Sequence, residues 1–458
     1  MDDLSREELL AENVRLMAEN AELRVSVEEL RAEVEMLRSQ LSGKTGGSGA
    51  CPFVKPNRKE RRQAEKEARK KRSKSFVRHR DIPTEEVQHV AEVCPDCGRK
   101  LTGGWEHARR QTIEIPDTPI RIIEHVLIAR RCGVCGKIHV PKLGPSDGVV
   151  GNMRVGVRLM SLISTLCIAK RMPHRSVTKL IDSLYGVHIS VGEITEILHK
   201  VAGLAKETVE WILRRIRGSP LVHADETGWR EDGINGYLWS LSTRELRYFH
   251  FDRSRAGAVA ERLIGACFGG VLICDFYGGY NWYGGPIQRC WPHFLRALKK
   301  LMETHPDDES VRVWVESIRT LYKIAKKIAK RDFSQSERVK FRQQLEAKLL
   351  LIAEPYLTDK TAPQNTLAKR IEKYLGEFFT FVQYPGCPSG NNAAERAIRP
   401  AVIARKISGG TRSANGSNTR TTLMSVFGTW SLQGRDLLAA CTNMIVASQL
   451  PLAGCHLK

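Results

Sequence analysis

The chain has 458 residues, of which 42% are hydrophobic and 27% charged, and its 72 Lys and Arg outnumber 51 Asp and Glu for a formal net charge of +21. That length exceeds one ordinary hydrophobic core, so three or more domains are expected, and the charge excess points to a polyanionic partner, nucleic acid ahead of an anionic membrane surface. The N-terminus lacks the basic head and apolar run of a secretory signal, and no stretch of 18 apolar residues occurs. An intracellular protein without membrane spans is therefore expected.

Leu9, Leu16, Leu23, Leu30 and Leu37 recur every seven residues, the seam of a coiled coil. With the leucines at d, Asn13 and Asn20 fall at a, which favours a two-stranded coil in fixed register. Glu19 and Glu33 at g face Arg24 and Arg38 at e of a partner helix, the pairing of a parallel homodimer. Residues 1–42 thus read as a leucine-zipper coiled coil giving a homodimer or higher assembly. Residues 43–87 follow as a flexible basic linker, glycine-rich at first, then carrying thirteen Lys or Arg against three Glu between Lys55 and Arg80. A basic-region zipper factor is excluded by order, because there the basic helix precedes the coil.

Cys94-Pro-Asp-Cys97-Gly and Cys132-Gly-Val-Cys135-Gly are two knuckles of the kind that hold one structural Zn(II) with four thiolates. Residues 111–115 and 121–129 between them read as strands, and the zinc ribbon is assigned to 88–145. From Arg154 to Ala205 the apolar period is helical. Three short helices result, the last starting at Ser190 with Glu193 three residues on as a capping box. Residues 146–205 read as a helix-turn-helix DNA-binding domain, with plain helical packing as the alternative.

Leu221 to Asp225 is a short apolar strand ending in an acid, and 236–241 and 246–251 continue it as a meander. After a helix from Gly257 to Cys267, Gly270 to Asp275 is a second buried strand with an acid at its end. If these strands are neighbours, Asp225 and Asp275 converge, and so close a pair calls for a cation such as Mg(II). Glu395 is the third acid, one turn into a helix begun by Asn391-Asn392. Three such carboxylates suit a two-metal site for phosphoryl transfer. Residues 311–379 are rich in Leu, Ile, Lys and Glu at helical period and read as an all-α insertion. Arg396, Arg399, Arg405, Lys406 and Arg412, close to Glu395 in sequence, are candidate phosphate contacts on DNA.

The strings around Asp225 (His-Ala-Asp-Glu-Thr-Gly-Trp), Asp275 (Cys-Asp-Phe-Tyr-Gly-Gly-Tyr), Cys290 (Arg-Cys-Trp-Pro-His-Phe-Leu-Arg) and Glu395 (Asn-Asn-Ala-Ala-Glu-Arg-Ala-Ile-Arg-Pro) resemble the core of the insertion sequence 66 family of bacterial transposases. The resemblance covers about residues 90–430 and reaches the ribbon, through Cys-Pro-Asp-Cys-Gly-Arg-Lys-Leu and Arg-Cys-Gly-Val-Cys-Gly. It implies a DDE-type active site on an RNase H-like fold, with Asp225, Asp275 and Glu395 binding divalent metal. It also implies small accessory proteins of the same element as partners. Cys290 and His293 match a Cys-x-x-His pair recurrent in such transposases, with a role open between local packing and an active-site contact. The segment from Lys406 to Ser413 and the C-terminal stretch fit the family loosely.

The expected architecture is multidomain α+β: coiled coil 1–42, basic linker 43–87, zinc ribbon 88–145, helix-turn-helix 146–205, RNase H-like α/β core 206–302 and 386–430, all-α insertion 303–385, and a C-terminal helical segment 431–458. The expected function is metal-dependent nicking and strand transfer on transposon terminal inverted repeats. Double-stranded DNA is the partner, Mg(II) and Zn(II) are the cofactors, and the location is the bacterial cytoplasm at the nucleoid. The alternatives are a DNA-binding regulator or domesticated scaffold with a silent core, and a site-independent nuclease.

Overall fold

The structure is a computed structural model that describes residues 82–83, 86–107 and 120–447. The coiled coil, nearly all of the basic linker, the strand expected over 111–115 and residues beyond 447 lie outside the described residues. The chain divides into two compact units, residues 1–115 and 116–458.

In the first unit the backbone closes on itself at the Cys94 knuckle. The Cys94 N–H donates to Arg99 O (2.9 Å) and Gly98 N–H to Cys94 O (2.9 Å), with Gly98 in the left-handed region at φ 69°. The second unit opens with the same device. Cys132 N–H donates to Lys137 O (2.8 Å) and Gly136 N–H to Cys132 O (2.9 Å), and Gly136 has φ 67°. Glycine is needed at both turns because a Cβ is disfavoured at such φ. Short strands β1 (Arg130–Arg131) and β2 (Ile138–His139) flank the second knuckle as an antiparallel pair. The strand expected over 121–129 does not form. Ile122 and Val126 in it are 92% and 74% exposed, and among the described residues it meets no ladder partner that would offset the order a strand imposes.

Helices α1 (Val157–Ser164), α2 (His174–Tyr185) and α3 (Val191–Leu204) appear where the apolar period places them. A π-turn over Thr165–Ala169 extends α1, and a fourth helix, α4 (Lys206–Arg217), leads into the sheet. Ser190 caps α3 by accepting the Glu193 N–H (3.0 Å), but the reciprocal half of the expected capping box is absent. The Glu193 carboxylate instead takes a bidentate pair of bonds from Arg154 (2.8 and 2.9 Å). Ile194, Ile197, Leu198 and Val201 face inward on α3 and join the same hydrophobic core as the sheet. Each such side chain contributes about 1.5–3 kcal/mol when fully buried.

The sheet has five strands: β3 (Leu221–Glu231), β4 (Ile234–Ser242), β5 (Arg247–Asp252), β6 (Val271–Cys274) and β7 (Ile287–Arg289), in spatial order β5-β4-β3-β6-β7. The first three form an antiparallel meander, and β6 and β7 add in parallel. The β3–β4 hairpin turns on Asp232 and Gly233 (φ 52° and 78°), the two positive-φ residues a tight hairpin favours. α5 (Gly257–Ile264) crosses from β5 to β6.

Then come α6 (Trp291–Thr304), α7 (Glu309–Ala329), α8 (Gln335–Ala353), α9 (Asn365–Lys373) and α10 (Thr380–Gln383), the all-α insertion with a core of its own. α11 (Asn392–Ser408) and α12 (Ala414–Leu432) return to the sheet, and α13 (Leu437–Ala447) packs on α1, α3 and α12. Hydroxyls on α12 cover the edge strand β5: Ser425 Oγ accepts the Phe249 N–H (2.8 Å) and Thr429 Oγ1 the Arg247 N–H (3.0 Å). An edge that could pair with another chain is thereby satisfied. Among the described residues no helix is long and apolar enough to cross a membrane.

Candidate active site

Parallel register brings the acids together. His223 on β3 pairs with Ile273 on β6, and Ile273 with Gln288 on β7. Two residues further along each strand stand Asp225, Asp275 and Cys290, one row at one end of the sheet. Contrary to what its apolar run suggests, Asp225 does not end its strand. β3 runs six residues past it, paired to β4 as far as Glu231, so Asp225 sits where β3 outruns its shorter parallel neighbour.

Glu395 comes from α11, and the start of that helix is tied directly to β3. The fully buried Asn391 donates from Nδ2 to Ala224 O (2.7 Å), its Oδ1 meets His223 Nδ1 (2.9 Å), and its N–H donates to Cys290 Sγ (3.1 Å). An Asn at this position would ordinarily cap its helix. Here its side chain is spent on the strand instead, and the Glu395 N–H is satisfied by Asn391 O (3.1 Å). The far end of α11 is fastened to the same strand. Thr411 N–H donates to Arg230 O (2.9 Å), Asp232 N–H to Thr411 O (2.8 Å) and Trp229 Nε1 to Thr411 Oγ1 (3.1 Å). Gly410 (φ 127°) is required beside it, since a Cβ would lie 2.1 Å from Arg230 O.

The electrostatics follow from this crowding. Burial first, then the negative charges of Glu226, Asp275 and Glu395, push the Asp225 carboxyl up to about 7, although it accepts the Glu226 N–H (3.0 Å). Glu226 projects from the other face of β3 and is also raised by burial, while Tyr280 Oη (2.6 Å) and Arg255 (2.7 Å) bind its charged form. Asp275 accepts the Tyr277 N–H (2.9 Å). Glu395 is met by Arg296 Nη2 (2.9 Å) and His293 Nδ1 (3.5 Å). His293 is lowered by its burial and then by Arg296. A buried Asp225 carboxyl raised by the charges of Asp275 and Glu395 beside it suits a hard divalent cation, whose charge would offset the cost of ionising Asp225. Cys290, His293 and Glu395 also offer ligand atoms within 4.8 Å of one another, a mixed S, N and O set that shares Glu395.

Behind Asp275, Arg289 is fully buried and uses nearly every donor. Nη1 bonds Asp275 O (2.8 Å) and Tyr277 O (3.2 Å), Nη2 bonds Asn281 Oδ1 (2.7 Å), and Nε bonds the insertion's Glu377. The sequence shows Asn391 only as a helix start, and it gives no sign of the parts that Arg289, Glu226 and Arg296 take. Each stands beside a residue singled out there, but nothing in one chain's sequence shows a side chain reaching across the sheet.

Of the residues read as DNA contacts, Arg396, Arg399, Lys406 and Arg412 are exposed. Arg405 is not free in the same way: its Nη1 bonds Gly228 O and Thr227 Oγ1, so it packs α11 on β3. Cys94 and Cys132 stand each within its own knuckle, where backbone amides of Cys97 and Asp96, and of Cys135 and Val134, hold the thiols below their ordinary value. Cys97 and Cys135 are exposed.

Residues 152–419, from α1 to α12 and including all three acids, match the family model described as "Transposase IS66 family". The chain is also similar to the "Uncharacterized protein y4jO" of Sinorhizobium fredii (strain NBRC 101917 / NGR234), with 29% identity over 189 residues that cover 39% of this chain. The match spans about half the length of that curated relative, 56%. The family match covers more than half of the sequence and contains the whole acidic site: this chain belongs to the IS66 family of transposases.

Proposed function

We propose that the protein is a DDE-type transposase with an RNase H-like core that binds transposon terminal inverted repeats and carries out DNA nicking and strand transfer. The carrying observation is the row of acids: Asp225 and Asp275 each stand two residues beyond the His223–Ile273 pair of neighbouring parallel strands, Asp275 just past the end of β6, with Glu395 on a helix tied to β3 by Asn391. The sheet order β5-β4-β3-β6-β7, antiparallel then parallel, supports the RNase H-like reading. Two Mg(II) ions held by Asp225, Asp275 and Glu395 would polarise the scissile phosphate and activate water or a DNA 3′-hydroxyl.

The chain's own residues do the positioning. Tyr277 N–H and Arg289 fix the Asp275 loop, Asn391 fixes the Glu395 helix, and Tyr280 with Arg255 hold Glu226 clear of Asp225's metal face. Exposed Arg396 and Arg399, one residue and one turn beyond Glu395, meet the DNA backbone as phosphate contacts. Helices α2 and α3 serve as the helix-turn-helix. The Cys94–Cys97 and Cys132–Cys135 knuckles take structural Zn(II), and residues 1–42 pair two chains as a parallel coiled coil in a protein of the bacterial cytoplasm.

Purified protein incubated with labelled candidate ends and Mg(II) should nick at the 3′ ends. Asp225→Asn, Asp275→Asn and Glu395→Gln should each lower nicking by roughly a thousandfold or more while duplex affinity stays close to wild type. Wild-type nicking by any of the three removes that residue from the site. Binding of ends without nicking by the wild type would favour a silent-core scaffold.

A further inference from the structure

The positive charge is distributed unevenly. Residues 148–181 contain six Lys or Arg and no Asp or Glu, and residues 396–435 contain seven and none. The fold packs these two tracts together, α12 lying against the π-turn and α3. His199 on α3 joins Thr419 on α12 through Nδ1 and Oγ1 (2.6 Å), and Thr195, one turn earlier on α3, meets His174 Nδ1 at the start of α2 (3.4 Å). Arg171, just before α2, stands in the left-handed region at φ 60°, a conformation that costs a non-glycine residue about 1 kcal/mol and that concentrates at ligand sites.

Arg420 lies next to Thr419 in this corner. Its guanidinium rests 5.9 Å over the Trp229 ring, and its Nε is buried with no hydrogen-bond partner among the described residues. The charged groups near it are cationic. Burial, then the charges of Arg420 and His199, hold His174 below its ordinary value, and Arg420 is itself lowered by burial and by Arg171. The acids on α3 are elsewhere: Glu193 is taken by Arg154, and Glu196 is exposed. A buried donor left unpaired costs about 1–3 kcal/mol, which an anion would recover. Trp229 shares a face of β3 with Asp225, four residues or about 13 Å away.

We propose that Arg420, Arg171 and His174 form an anion pocket that receives a phosphodiester oxyanion of the DNA backbone. The ligand class rests on the transposase reading; the pocket itself does not. The probe is inorganic phosphate against chloride at equal ionic strength, read as thermal melting of the full-length protein. Phosphate should raise the melting temperature of the wild type and leave Arg420→Met unmoved, while Arg420→Lys keeps part of the response. Duplex DNA titrated at several salt concentrations should bind Arg420→Met about tenfold more weakly, with a salt slope smaller by about one.

Equal phosphate shifts in wild type and Arg420→Met would overturn the pocket, and so would an unchanged salt slope, leaving Arg420 as a packing contact on Trp229. If Arg420→Met does not fold, Arg171→Gln gives the same two readouts. A wild type that binds no DNA, yet is stabilised by phosphate through Arg420, would keep the pocket and sink the transposase reading instead.

Discussion

The two faces of β6 belong to different interiors. Leu272 and Cys274 enter the core shared by α1–α4, the rest of the sheet and the last helices, whereas Val271 and Ile273 enter the core of the insertion. The first interior is largely aliphatic. The second is built on rings: Trp291 stacks on Tyr322 (centroids 4.5 Å apart) and meets Phe378 edge-on (5.2 Å), with buried Arg289 and Arg338 threaded through. Aliphatic packing is indifferent to direction, while rings and guanidinium groups fix angles. The insertion therefore does more than add stability: through Glu377 and Arg289 it orients the backbone that carries Asp275.

The sharpest way to break this comparison is at Trp291. Trp291→Ala should cost about 3–5 kcal/mol, because the indole is fully buried and its Nε1 donates to Phe378 O (2.6 Å). Urea unfolding that shows a loss under about 1 kcal/mol would mean the ring cluster is not an independent core. A smaller effect is expected at Asn391. Asn391→Ala strands Ala224 O and His223 Nδ1, about 1–3 kcal/mol, and nicking should fall by more than the stability loss explains, since Glu395 is freed. Reduced stability with full nicking would show that the helix holds its place without this tie.

The smallest expected change, and the most specific, is at Glu377. Glu377→Gln keeps a hydrogen bond to Arg289 but loses the charge, about 1 kcal/mol. The Mg(II) needed for half-maximal nicking should rise, with the maximal rate recovered at high Mg(II). A titration that overlays the wild type would reduce the insertion to a support.

The sequence disclosed what rests on local pattern. The apolar run into Asp275, the meander after Asp225, the three helices and the all-helical insertion all carry their period in plain view. β7 was hidden because Gln288 and Arg289 look like loop residues. Both are buried in fact: Gln288 bonds Phe378 O (3.1 Å) and accepts the Phe381 N–H (2.8 Å), so their polarity is satisfied from 90 residues away. α4 was masked by its many charges, with Ile212 and Ile216 its two fully inward residues. Conversely, 121–129 has the residues of a strand and pairs with no strand among the described residues. Long-range satisfaction of polar groups is what a single sequence does not display, and the residues that position the acids depend on it.

Helix α11 behaves as a splint laid along β3. Its 17 residues span about 25 Å, and the stretch of strand between its two fastenings, Ala224 and Arg230, spans about 20 Å. The two lengths agree closely enough that both ends can be secured at once. A single inserted or deleted residue between Asn391 and Glu395 would turn the carboxylate by about 100° around the helix axis, and one placed after it would break the Thr411 fastening instead. Loops of the insertion can lengthen at small entropic cost, but this helix has a fixed gauge, and tolerance to insertions scanned along the chain should fall to its minimum there.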